Sequence, residues 1–162
     1  MDRRDGQFRF GEGRLYGRRM AWVRFFTVYG PRQRPDLAIG KFMRLLADKQ
    51  PIPMFGDGTT SRDYTFIDDI VAGVLAAYDR IPEHGVRTWN LGGSDPVTLR
   101  AMIDTIARVT GFEARIDPKP KQPGDVERTF ADTSRSEREL GYRVCTPFEE
   151  GVAKQWEWLR RG

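Results

Sequence analysis

Metal-ligating residues and long apolar runs are scarce in this 162-residue sequence. Cys145 is its one cysteine and His84 its one histidine, so no internal disulfide can form and a metal site built from His and Cys ligands is excluded. No window approaches eighteen consecutive apolar residues, which argues against a membrane-spanning segment. We therefore expect no metal and no membrane partner, and we expect a cytoplasmic protein, because thiols stay reduced in that compartment.

The charge balance is basic, with a net charge of +4 and 31% charged residues. Such a balance suits nucleic acid, acidic lipid or an anionic small molecule as partner. The sequence carries no nucleic-acid-binding signature, and its aromatic residues do not alternate with basic ones as a stacking platform requires. We therefore expect a small anionic ligand and no nucleic acid.

Strand-like and helix-like segments alternate along the chain, which predicts an α/β fold. β-branched and aromatic runs that end at glycine or proline predict the strands. The predicted strands or extended segments are "AWVRFFTVYG" at 21–30, "PIPMF" at 51–55, "RTWNLGG" at 87–93 and "FEARIDP" at 112–118. A proline-punctuated loop, "PKPKQPGDVE", follows at 118–127.

Five helices are predicted, each from a capping residue followed by apolar residues at helical spacing. The predicted caps are Asp36, Asp68 or Asp69, Thr98, Ser134 in a box with Glu137, and Thr146 with Pro147 and Glu149. Gly111 and Gly141 are predicted to end the third and fourth helices. The predicted apolar positions are Ala38, Phe42, Leu45 and Leu46 in the first helix, Ile70, Val71, Val74, Leu75 and Tyr78 in the second, Leu99, Met102, Ile103, Ile106 and Val109 in the third, and Phe148, Val152, Trp156 and Leu159 in the fifth.

The strands are too few and too short for a complete sheet. A buried parallel strand normally has neighbours on both sides, and only the first strand here has the composition of one. We therefore expect part of a larger fold that exposes apolar surface, so that a missing N-terminal half or self-association would cover it.

Four motifs in order resemble the nucleotide-sugar epimerases and dehydratases of the extended short-chain dehydrogenase/reductase superfamily. They are "RFFTVYGP" at 24–31, "GDGTTSRDYTFIDDI" at 56–70, "WNLGG" at 89–93 and "QPGDVERTFAD" at 122–132. The resemblance implies the C-terminal part of an extended Rossmann-type fold: the last sheet strand or strands plus the small mixed α/β substrate-binding subdomain. It covers 14–162 and leaves 1–13 as a divergent or disordered segment.

Within that family, the sequence of the first motif and of the residues that follow it is similar to that of the UDP-glucuronate 4-epimerase branch. There, the resemblance implies, Thr27 and Arg34 contact the carboxylate of the sugar, which a guanidinium and a hydroxyl can bind by charge-assisted hydrogen bonds. Without the resemblance, Thr27 is an ordinary strand residue and Arg34 a solvated loop residue. UDP-glucose 4-epimerase and UDP-glucuronate decarboxylase are the alternative activities.

The resemblance also implies contacts to the nucleotide. Arg62 would pair with the diphosphate and Asp125 would accept hydrogen bonds from ribose hydroxyls, although a solvated arginine and a turn aspartate are the plain alternatives. Gln122 stands where galactose-type relatives have a second diphosphate arginine, and it fits the glucuronate branch. Phe55 would read uracil through its backbone N–H.

The resemblance implies NAD as cofactor of the complete enzyme, with Phe25 and Phe26 near its nicotinamide end or simply in the core. The sequence has no Tyr-x-x-x-Lys pair, and "GEGRLYG" at 11–17 is not a dinucleotide loop because no strand precedes it. Asp68 and Asp69 suit a helix cap better than an acid–base pair. We therefore expect no catalytic residue here, and a non-catalytic nucleotide-sugar-binding module is the competing interpretation.

Overall fold

A computed structural model describes residues 17–161. The predicted divergent segment 1–13, and all of the "GEGRLYG" stretch except Gly17, lie outside the described residues. The helices are α1 (Ala38–Ala47), α2 (Ile67–His84), α3 (Leu99–Thr110), α4 (Ser134–Leu140) and α5 (Phe148–Arg161). The strands are β1 (Met20–Phe25), β2 (Thr27–Tyr29), β3 (Ile52–Phe55), β4 (Ser61–Arg62), β5 (Tyr64–Phe66), β6 (Val86–Leu91), β7 (Val97–Thr98) and β8 (Ile116–Lys119). The predicted α/β class is confirmed.

The strands form four short pairs within the described residues. β1 with β6, β2 with β5 and β3 with β8 are parallel, whereas β4 and β7 are antiparallel. The connection from β1 to β6 passes through α2, and the connection from β3 to β8 passes through α3. Such helical crossovers are what parallel pairing requires.

The first predicted strand is two strands. The Phe26 N–H donates to the Leu91 carbonyl at 3.3 Å, whereas the Thr27 N–H donates to the Asp63 carbonyl at 3.0 Å. The chain therefore changes its hydrogen-bonding partner between these two residues, and β1 and β2 belong to different pairs. The continuous apolar pattern carries no signal for that exchange, because both halves are equally strand-like.

Two apolar clusters hold the fold together. The larger is built around α1, α3 and α5, whose predicted apolar faces are confirmed: Met102, Ile103 and Ile106 of α3 are fully buried, as is Val152 of α5. The smaller joins α2, β6 and α4 around Trp89, which is also fully buried. Burial of such side chains stabilises a fold by about 1.5–3 kcal/mol each.

Helix α2 is confirmed, but most of its predicted apolar face is open to solvent. Ile70 is buried, whereas Val71, Val74, Leu75 and Tyr78 are 48%, 38%, 59% and 77% exposed. We call these four exposed residues the α2 stripe. It matches the expectation that apolar surface is left uncovered.

Several helix starts differ from the prediction. Thr98 caps α3 through the Ala101 N–H, and Gly111 ends that helix in a left-handed conformation, as predicted. Asp36 does not cap α1, because its carboxylate accepts from Arg34 instead. The N-cap of α4 is Thr133, one residue before Ser134, so the predicted box with Glu137 is wrong in register.

Asp68 and Asp69 lie in the first turn of α2, and the N-cap position belongs to Phe66, so the predicted cap is wrong. The buried Asp69 carboxylate accepts the Cys145 and Thr146 N–H groups, both at 3.1 Å. It thus ties α2 to the turn before α5. This use also explains why Thr146 does not form the predicted box with Glu149, since its N–H is already taken.

Neither membrane spans nor metal clusters occur in the part of the chain that the structure describes. No helix there is long and apolar enough to cross a membrane. No group of three or more His, Cys, Asp and Glu side chains there is placed to hold a metal ion.

Candidate functional site

Arg62 and Asp125, which are 63 positions apart in the chain, lie side by side. The Arg62 Nη2 donates to the Asp125 Oδ1 at 2.5 Å, and Nη1 donates to the Ser61 carbonyl at 2.9 Å. The two side chains keep 24% and 36% of their surface exposed. Arg62, the residue predicted to bind the diphosphate, and Asp125, the residue predicted to bind the ribose, are therefore in contact at the molecular surface.

Asp125 is presented by a tight turn. Its N–H donates to the Gln122 carbonyl at 3.3 Å, and Gly124 between them has φ +82°, a conformation that favours glycine. Gln122 is exposed beside this turn. The turn formed by the Pro-Gly of "QPGDV" therefore orients the Asp125 carboxylate toward Arg62.

The backbone of Thr27 is hydrogen-bonded to Asp63, the residue that follows Arg62. Its N–H donates to the Asp63 carbonyl at 3.0 Å, and it lies opposite Tyr64 in the β2–β5 pair. Its side chain is half-buried. Thr27 is therefore connected through its backbone to the residue that follows Arg62 in the chain.

Arg34 is placed differently. It lies in the exposed turn after β2, and its guanidinium donates to Asp36 at 3.1 Å with 73% of the side chain exposed. Its hydrogen-bonding partner within residues 17–161 is therefore this neighbouring carboxylate. An exposed pair of this kind is weak, about 0–1 kcal/mol, so it leaves the guanidinium available to a stronger anion.

Phe55 ends β3 opposite Lys119, and the next residue, Gly56, donates its N–H to the Lys119 carbonyl at 2.9 Å. Directly after it, an open cleft of about 560 Å³ begins. The cleft is lined by Gly56, Asp57, Thr59, Thr60, Ser61, Lys121, Glu127 and Arg128. Ser61 joins this cleft to Arg62, and Lys121 and Glu127 flank the turn of Asp125.

Asp63 is the principal residue that sequence reasoning missed. Its fully buried carboxylate accepts the N–H groups of Gly93 at 2.5 Å, Ser94 at 3.1 Å and Ala131 at 2.8 Å. A Cβ on Gly93 would lie 2.9 Å from the Asp63 Oδ1. The paired glycines of "WNLGG" were the available signal, because they allow the backbone to approach this close.

Asp63 also fixes the surroundings of the ion pair. Its N–H donates to the Thr129 Oγ1 at 3.0 Å, and its carboxylate holds Ala131, so the chain segment that follows Asp125 is anchored to it. Arg62 is its sequence neighbour, and Thr27 binds its carbonyl. Asp63 therefore connects the parts of the candidate site, through its carboxylate to the segment after Asp125 and through its backbone to Thr27 and Arg62.

Comparison with known proteins identifies the family of this chain. The model of the NAD dependent epimerase/dehydratase family matches residues 12–92. The chain belongs to this family.

Relatives and solved structures within the family agree. UDP-glucuronate 4-epimerase of Thermodesulfobacterium geofontis is 37% identical over 147 residues, which are 90% of this chain and 45% of the relative. A UDP-glucuronic acid 4-epimerase from Bacillus cereus, in complex with UDP-glucuronic acid and NAD, superposes with a TM-score of 0.80 at 30% identity and covers 86% of this chain and 44% of its own. UDP-glucose 4-epimerase of Thermotoga maritima, with UDP-glucose, gives 0.87 at 27% identity, covering 96% and 50%.

The chain spans about half the length of the relatives it matches. This agrees with the interpretation of the fold as part of an extended Rossmann-type domain. The four short strand pairs and the α2 stripe are the structural signs of the same fact, since parallel strands are usually buried on both faces.

The described residues fit the family's cofactor poorly. Gly92 and Gly93 follow a strand, yet the Gly93 N–H donates to Asp63 and the Gly92 carbonyl accepts from the Tyr142 hydroxyl. No glycine-rich turn in residues 17–161 leads from a strand into a helix in the dinucleotide-binding pattern. Phe25 is half exposed and Phe26 half-buried against Gly92, so this part of the chain offers NAD an apolar wall at most.

Tyr64, beside Thr27 and Arg62, is not a candidate base. Burial raises the pKa of its phenol to about 12, even though the positive charge of Arg62 acts in the opposite direction. A phenol with that pKa stays protonated near neutral pH. The expectation that this chain contributes ligand contacts and no catalytic group remains a prediction.

Proposed function

We propose that this chain is the nucleotide-sugar-binding portion of an NAD-dependent 4-epimerase, and that its ligand is UDP-glucuronate. The observation that carries the proposal is the meeting of Arg62 with Asp125 beside Thr27. A guanidinium suits a diphosphate, and a carboxylate suits ribose hydroxyls. The activities of the relatives, UDP-glucuronate 4-epimerases among them, support the same choice.

The uronate specificity rests on Thr27 and Arg34. Both belong to the segment that continues from β2 into the following turn, and among residues 17–161 the partner of the Arg34 guanidinium is the exposed carboxylate of Asp36. A substrate carboxylate that approaches Thr27 would compete with Asp36 for this guanidinium. A neutral sugar offers no such charge, so the same residues give UDP-glucose no equivalent gain.

Epimerisation itself would need the remaining part of the enzyme. The chain lacks a Tyr-x-x-x-Lys pair, so we propose that the tyrosine, the lysine and the NAD loop come from polypeptide that packs on the β1–β6 pair and the α2 stripe. Self-association through that stripe is the alternative when such a partner is absent. A cytoplasmic location stays a prediction from the sequence.

The uronate proposal is tested by calorimetric titration of the full 162-residue chain with UDP-glucuronate and UDP-glucose. We expect Arg34→Ala to weaken UDP-glucuronate binding about tenfold, the effect of one lost charge-assisted hydrogen bond, and to leave UDP-glucose unaffected. The matched control is Arg32→Asn, which removes the same charge from the same turn and tolerates the φ of +64° found there.

The result would contradict the uronate assignment if Arg34→Ala weakened both ligands equally, or if the control had the same selective effect. Preference of the wild-type chain for UDP-glucose would favour the galactose-type epimerase instead. Failure to bind any uridine nucleotide would refute the proposed function as a whole.

A further inference from the structure

The cation proposed for the diphosphate is already neutralised by the protein. Arg62 gives one N–H to the Asp125 carboxylate at 2.5 Å and another to the Ser61 carbonyl at 2.9 Å. Its side chain is only 24% exposed, so the bonds are partly shielded from water and stronger than those of a free surface pair. An anion that reaches Arg62 must displace Asp125 or share the guanidinium with it.

Displacement has a different consequence for different ligands. When a bare anion takes Arg62, Asp125 loses its partner, and the nearby Lys121 is itself paired with Glu127 at 2.8 Å. The two negative charges are then left close together, which is unfavourable. A ligand that carries hydroxyl donors next to its phosphates instead offers Asp125 new hydrogen bonds as it takes Arg62 away.

We propose that Asp125 is a specificity-determining residue: it occupies Arg62 so that inorganic phosphate and pyrophosphate are rejected, while nucleoside diphosphates are admitted by exchange. In that exchange the phosphate oxygens replace the Asp125 carboxylate at Arg62, and the ribose hydroxyls replace Arg62 at Asp125. The inference rests on the proposed function for its nucleotide half; its inorganic half depends only on the ion pair.

The geometry of the turn supports an exchange rather than a rearrangement of the fold. Asp125 is attached through a Gly124 turn and a single backbone bond to Gln122, whereas Arg62 lies on β4 next to the fully buried Asp63. The cation is therefore fixed and the carboxylate is on the more adjustable element. Release of Asp125 would leave the Arg62 position unchanged.

The test is titration of the full 162-residue chain with inorganic pyrophosphate and, separately, with UDP. Asp125→Asn keeps the size of the side chain and removes its charge. We expect it to raise the pyrophosphate affinity about fivefold, which corresponds to the upper end of the interaction free energies of ion pairs near a protein surface. The ratio of UDP affinity to pyrophosphate affinity should fall by at least the same factor.

A general charge effect is separated by Glu127→Gln, which removes one negative charge from the same segment but pairs with Lys121 rather than Arg62. We expect this control to change pyrophosphate binding much less than Asp125→Asn. In an Arg62→Gln background, Asp125→Asn should no longer improve pyrophosphate binding, because the pair that it breaks is gone.

Any other result with inorganic pyrophosphate overturns the inference. Equal gains in the two single variants would mean that only net charge matters, and a loss of pyrophosphate affinity in Asp125→Asn would mean that Asp125 orients Arg62 for anions. If the wild-type chain bound no UDP but Asp125→Asn still gained pyrophosphate affinity, the proposed function would fail while the blocking role of Asp125 stood.

Discussion

Replacement of Asp63 by asparagine perturbs the buried carboxylate that connects the parts of the candidate site. The side chain has no exposed surface, and its two oxygens accept three backbone N–H groups, from Gly93, Ser94 and Ala131. An asparagine of the same size has one oxygen and one NH₂ group. Whichever way it is turned, the NH₂ group faces at least one N–H donor.

The expected loss follows from these contacts. At least one backbone N–H and the new amide N–H are left buried without an acceptor, and each such group costs about 1–3 kcal/mol. We therefore expect Asp63→Asn to lower the free energy of unfolding by about 2–6 kcal/mol. This is a large part of the 5–15 kcal/mol that is typical of a whole domain.

Urea unfolding of the full chain, followed by its tryptophan fluorescence, to which the buried Trp89 contributes, measures this loss. Asp57→Asn is the matched control, because that exposed carboxylate also accepts two hydrogen bonds, both from Thr59, but water can replace them. We expect the control to unfold close to the wild-type midpoint. If Asp63→Asn shifted the midpoint no more than the control does, the argument that Asp63 organises the site would be refuted.

Two further predictions concern the surface and the acid range. Leu75→Gln, in the α2 stripe, should leave the free energy of unfolding within about 0.5 kcal/mol of wild type and reduce self-association in sedimentation velocity; a destabilisation like that of a core residue would show that the stripe is covered. The pKa of Glu139 lies below its usual 4.5, because the hydrogen bond from Trp89 and nearby positive charges outweigh the opposing effect of burial. A carboxyl whose pKa is lower in the folded state stabilises the fold at pH values above its unfolded-state pKa, and this stabilisation is lost as pH falls through its folded-state pKa. Glu139→Gln should therefore reduce the acid sensitivity of the melting temperature below about pH 4.5. An unchanged pH profile of the melting temperature would contradict this.

Local features of the fold were predictable because the residues that produce them lie within one helical turn. The spacing of Met102, Ile103 and Ile106 predicts the buried face of α3, and Thr98 and Gly111 predict its two ends; all are confirmed. The caps at Asp36, Asp68 or Asp69 and Ser134 were predicted by the same rule and are wrong. There, other partners compete for the same polar groups: Arg34 takes Asp36, and the turn before α5 takes Asp69.

The sequence predicted which residues belong to the candidate site, but it did not predict how they are arranged. The motifs identify Arg62 and Asp125 separately, through a resemblance that the family match supports, but no pattern places them in contact. Nor does a pattern show that Asp63 is fully buried, since a short "RDY" segment reads equally well as a loop. Whether Arg34 binds a uronate stays a prediction.

The sequence by itself determined the α/β class, the helices with their apolar faces, and the family, because periodicity, punctuation and motifs are properties of short stretches. The tertiary structure decided the exchange of strand partners after Phe26, the exposure of the α2 stripe, and the pairing of Arg62 with Asp125. The strand pairs and the ion pair join residues 37 to 66 positions apart. Contacts at that separation are set by the path of the whole backbone, because the long-range partner alone decides which of several compatible local patterns is used.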